Sequence, residues 1–118
     1  MKVKDILKTV DEMYPNKYTD EIKMMFISDL DSNITESVIR PYNRGVAPFI
    51  PYKSIEQSVI APERNKMMYV YYVKAQIDAN NNETVRFNNS MALYNSYFSE
   101  YQRAYIRSHR SSGGKFKV

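Results

Sequence analysis

The sequence predicts an all-α fold: a small antiparallel bundle of about four helices, with a long Pro-containing extended arm between helices two and three. Three observations predict it. Apolar residues recur at three- and four-residue steps through most of the chain. The longest apolar run, Met67 to Val73 in "KMMYVYYVKAQID", lies in a segment too long for a typical strand. Finally, Pro41, Pro48, Pro51 and Pro62, with Gly45 among them, interrupt the helical period in one region only.

The first helix is expected over Val3 to Met13, where Val3, Ile6, Leu7, Val10 and Met13 keep helical spacing among lysines and aspartates. Tyr14-Pro15-Asn16 ends it, because the residue before a proline is pushed out of the helical region. Thr19 is a suitable N-cap for helix two, and Asp20 and Glu21 suit its first turn. Ile22, Met25, Phe26, Leu30, Ile34 and Val38 form its apolar stripe, and Arg40-Pro41 closes it. Residues 41–61 hold no helical period, but Val46, Phe49, Ile50, Ile55, Val59 and Ile60 argue against plain disorder. An extended arm, or a loose hairpin packed on a neighbour, fits that pattern.

Pro62 and Glu63 suit the start of helix three, which runs to Ala79. Lys74-Ala75-Gln76-Ile77 are poor strand residues, and this decides against a strand. Met67, Val70, Val73 and Ile77 fall on one face, and Met68, Tyr72, Ala75 and Ala79 on another. A helix apolar on most of its circumference is central, or shared with a neighbour. "ANNNE" forms the next turn, since asparagine tolerates left-handed backbone. Helix four runs from Glu83 to Ser108 with a bulky seam at Phe87, Met91, Tyr94, Phe98, Tyr101 and Tyr105. The organisation is then one helical domain over 1–110, with the arm at 41–61, and a flexible basic tail over 111–118.

The net charge of +4 is unevenly placed. Residues 1–39 hold five Lys/Arg and eight Asp/Glu, whereas residues 40–118 hold twelve and five. From Tyr101 onward there are five basic residues and no acid. Such an end suits nucleic acid, an acidic protein surface or plain solvent. There is no cysteine, so there is neither a disulfide framework nor a thiolate site. The charged start "MKVKDILKTVDEM" has no apolar core of a secretory signal, and no apolar run approaches a membrane span.

Residues able to do chemistry are sparse. The one histidine, His109, sits beside Arg107 and Arg110 near the tail, where a catalytic base would lack a positioned partner. Asp29 and Asp31 are too close in sequence to share a helix face. Glycines at 45, 113 and 114 cannot make a phosphate loop. No catalytic, cofactor-binding or metal-binding residue is expected, and an enzyme is disfavoured. Eleven tyrosines are more than a core of this size takes in comfortably. They suit a mixture of core and surface, a subunit interface, or stacking on single-stranded nucleic acid.

The block "VIAPERNKMMYVYYVKAQIDANNNETVRFNNSMALYNSYFSEYQRAYIRSHR", Val59 to Arg110, resembles the C-terminal half of the small head–tail connector (head-completion adaptor) proteins of long-tailed bacteriophages. The opening "VKDILKTVDEMYPNKYTDEIKMMFISDLDSNI" has the same look. "RPYNRGVAPFIPYKSIEQS" and "SSGGKFKV" do not match. The resemblance implies a structural virion protein that forms a homo-oligomeric ring, a dodecamer, under the portal protein. The ring extends the DNA channel and recruits a stopper or tail-completion protein. Double-stranded DNA would pass without sequence specificity, and no membrane or cofactor is involved. The location implied is the virion neck, with the host cytoplasm before assembly. A closed ring needs two different patches on each subunit. Phe49, Ile50, Ile55, Lys115, Phe116 and Val118 are the expected portal or neighbour contacts, the tail being the favoured portal contact by family architecture. Arg40, Arg44 and Lys53 would face the DNA channel or an acidic partner. Met68, Tyr72, Met91, Tyr94, Phe98 and Tyr101 would make the subunit core and interface. The rival reading is a small basic helical nucleic-acid-binding protein using Arg103, Arg107, Arg110, Lys115 and Lys117.

Overall fold

In a computed structural model, which describes residues 1–113 with side chains through His109, the chain folds into four α-helices. Helix α1 spans Val3–Met13 as its spacing predicts, and the Lys2 amide donates to Asp5 Oδ2 at 2.9 Å to cap it. Helix α2 spans Asp20–Ile34; the Thr19 hydroxyl accepts from the Ile22 amide at 3.2 Å, the N-cap its sequence proposes. It continues through one wide π turn, Thr35–Ile39, in which the Arg40 amide reaches back to the Thr35 carbonyl at 2.9 Å. A single 3₁₀ turn, Glu63–Asn65, leads into helix α3, Lys66–Asn80. Asn82, at φ 59°, makes the left-handed turn to helix α4, Thr84–Gly113.

Helix α3 is the axis of the fold. Met68, Tyr69, Val70, Val73 and Ala75 are all fully buried, so most of both apolar faces is covered within one chain by α1, α2 and α4, while Met67 and Tyr72 are half-buried and Ala79 is exposed. The Tyr18 hydroxyl bonds Asn81 at 2.8 Å, and the Tyr69 hydroxyl bonds Asp31 at 2.6 Å. These contacts set α2 antiparallel to α3. The short turn after α3 sets α4 antiparallel to it as well, so α2 and α4 run in the same direction. The seam of α4 faces inward: Tyr94 and Tyr101 are buried, while Met91, Phe98 and Tyr105 pack at the edge of the core.

Three positions depart from the predicted stripes. Met13 is exposed at the end of α1. Ile22 and Met25 lie outside the buried side of α2, which is carried instead by Phe26, Ile27, Leu30 and Ile34. The period allows either choice, and the position of α3 decides between them.

Residues 41–61 do not project as a long arm. They cross back over their own subunit. The Val3 and Lys4 amides donate to the Gln57 and Ile55 carbonyls at 2.9 Å each, and the Val59 amide donates to the Met1 carbonyl at 2.9 Å. Backbone donors near the start of α1 thereby find partners that a free arm would leave to water.

Candidate assembly surface

The segment 41–61 is pinned by one buried acid. Asp31 is fully buried on α2. Its Oδ1 accepts from the Tyr69 hydroxyl at 2.6 Å, and its Oδ2 accepts from the Tyr52 hydroxyl at 2.5 Å and the Ile60 amide at 3.2 Å. The Ala61 amide in turn donates to the Tyr69 oxygen at 3.0 Å. Burial pushes the Asp31 carboxyl above its usual range, and the three donors hold part of that rise back. Both tyrosine hydroxyls are pushed up by burial and then by the Asp31 charge. The tie is therefore a carboxyl group with each oxygen engaged, in a place water does not reach.

One turn earlier, the Ser28 hydroxyl accepts from the Tyr52 amide at 3.0 Å. Residues 49–52 are thus laid alongside the outer face of α2. Phe49 packs edge-on against Tyr52, with ring centroids 5.1 Å apart. Between this segment and α2 runs an open groove of about 330 Å³, walled by Met24, Met25, Phe49, Pro51 and Tyr52 and rimmed by Glu21 and Asp29. Met25 is 52% exposed at its wall, and Ile50, between the lining residues Phe49 and Pro51 in the chain, is 73% exposed. Ile22 adds further apolar surface on the same helix. Large apolar side chains gathered with an acidic rim are characteristic of a contact surface.

A second cavity, about 430 Å³, lies between the α1–α2 loop and the α3–α4 turn. Lys74 there donates to Asp78 at 2.6 Å and Ser90 at 3.1 Å, with its ammonium 4.7 Å from the centre of the Tyr14 ring. Asp78 also accepts from Ser90 at 3.1 Å. These groups satisfy one another and join α3 to α4. The Tyr14 hydroxyl is pushed up to about 12, chiefly by burial.

The residues singled out by sequence fall in different places. Phe49 forms a wall of the groove, and Ile50, next in the chain, is exposed. Ile55 is half-buried against the core, and its carbonyl is used by Lys4. Arg40 is paired with Glu36 at 2.9 Å and donates to the Val46 carbonyl at 3.0 Å. Arg44 and Lys53 are exposed. Met68 is fully buried; Tyr72, Met91, Tyr94, Phe98 and Tyr101 form the α3–α4 seam, with Tyr72 and Tyr94 centroids 5.2 Å apart. Met68, Tyr94 and Tyr101 are buried within one subunit, whereas Tyr72, Met91 and Phe98 are half-buried at the edge of its core. Lys115, Phe116 and Val118 lie outside the described residues. His109 lies within α4, stacked on Tyr105 at 3.8 Å.

Sequence reasoning missed Asp31, Tyr52 and Tyr69 as a unit, and Met25 as surface. An aspartate inside an otherwise apolar stripe was the available signal for the first. Among the described residues, no helix is long and apolar enough to cross a membrane. Set against known protein families, curated proteins and solved structures, the chain finds no match in any of the three.

Proposed function

We propose that this chain is a structural assembly subunit, a head–tail connector of a tailed bacteriophage that forms a ring under the portal and extends the DNA channel. The observation that carries the assembly role is the groove beside α2, with Met25 and Ile50 left exposed on a body whose own core is already filled. The groove is rimmed by acids in the acidic N-terminal part of the chain, and the basic residues Arg103 and Arg107 stand exposed on α4. Two unlike surfaces on one subunit suit the heterologous contacts of a closed ring. The phage assignment itself rests on the resemblance in sequence.

The test is to locate the chain in an image of the virion neck and to ask whether it assembles with the portal protein. Met25→Asp and Ile50→Asp should leave the helical content of the subunit intact and abolish its incorporation into particles. Normal incorporation of both variants would remove the groove from the assembly role. Tight DNA binding by the isolated chain, steeply weakened by salt, would instead favour the nucleic-acid-binding reading.

A further inference from the structure

The groove has a defined chemistry. Its walls are apolar, and Glu21 and Asp29 line it with no lysine or arginine among the lining residues. A matching occupant alternates cation and apolar side chain in a short stretch. The chain itself carries one, Lys115-Phe116-Lys117-Val118, which follows Gly114 in the sequence. The question is whether that stretch meets the groove of its own subunit or of another.

The fold answers by distance. Tyr101 lines a depression with Ile60, and Ile60 bonds Asp31, so Tyr101 of α4 stands near the level of Asp31 on α2. From Tyr101, α4 rises about 18 Å to Gly113. Because α2 and α4 run in the same direction, Met25 lies about 9 Å the other way. Phe116, even fully extended from Gly113, reaches only about 10 Å. A subunit's own Phe116 therefore falls well short of Met25 in its own groove.

The geometry points to a second copy of this chain as the occupant, its Lys115–Val118 segment lying in the groove with Phe116 between Met25 and Phe49 and the two lysines against Glu21 and Asp29. The contact is head-to-tail, since groove and segment are different parts of the chain. Repetition of such a contact closes a ring or extends a filament. The inference rests on the assembly reading above for the groove, but it is tested with the chain alone.

The chain has no cysteine, so introduced thiols report unambiguously. Ser32 is exposed and lines the groove; Ser32→Cys there and Val118→Cys on the segment are placed in separate copies, mixed, and joined by a short thiol cross-linker. A covalent dimer should form roughly tenfold faster than between Val118→Cys and a Lys8→Cys control on α1, because docking raises the effective concentration of the pair. Phe116→Asp in the Val118→Cys copy, or Glu21→Lys with Asp29→Lys in the Ser32→Cys copy, should return the rate to the control. No excess over the control overturns the proposal. So does closure within one chain when both thiols share it, or a Ser32→Cys pair joining as fast as the mixed pair. In those cases the groove keeps its assembly role with another partner. If the cross-link forms but the neck lacks the chain, only the phage connector reading falls.

Discussion

Asp31 is the most consequential side chain of the fold. Asp31→Ala would leave two tyrosine hydroxyls and the Ile60 amide without their acceptor. Losing them should destabilise the protein by about 3 kcal/mol, while Tyr52→Phe, which removes one bond, should cost about 1–2 kcal/mol. Denaturant unfolding measures both. The pH dependence has a definite sign. The folded carboxyl titrates above its ordinary 3.8, so the fold holds that proton more tightly than the unfolded chain does. The stability it contributes is complete below about 3.8 and is lost as pH rises through the folded value. The stability gap between the natural chain and Asp31→Ala should therefore narrow from pH 3.5 toward neutrality; a gap that widens would mean the three donors outweigh burial. None of this was legible in the sequence. Tyr52 and Tyr69 lie 21 and 38 residues from Asp31, and periodicity carries no information across such separations.

At the scale of elements, local chemistry read well. The ends of α1, the Thr19 cap and the asparagine turn follow from short-range rules that sequence displays directly. Asn82→Val should destabilise by about 1 kcal/mol, since a β-branched residue resists positive φ, and Asn82→Gly should be close to neutral in the same thermal melts. The join between α1 and α2 depends on a buried cation. Lys23 is 3% exposed and its ammonium reaches Asp11 at 2.5 Å, with Asn16 at 3.2 Å. Asp11→Ala strands that charge and should cost more than Lys23→Met, which replaces it with apolar volume; the expected difference is about 1–2 kcal/mol. The second face of α3 was ambiguous in sequence for a physical reason. An apolar face shows only that something covers it, and here the cover is α4 of the same chain.

At the scale of the molecule, the described residues form an elongated body of 53 × 30 × 21 Å with its core closed. Prolines marked 41–61 as non-helical, yet the partners that fold it inward sit at the start of α1 and midway along α2. The groove exists only because of that return path, so its residues could be suspected from sequence but its shape could not. The same path governs the order in which the molecule comes together. The α3–α4 hairpin closes over a short turn, whereas every bond to Asp31 closes a long loop, and long closures are reached late. Tyr52→Phe should accordingly quicken unfolding in stopped-flow traces and leave the refolding rate almost unchanged. Val73→Ala, inside the hairpin, should slow refolding. The single carboxyl that fastens the segment would then set how long the native subunit lasts, and have little say in how fast it forms.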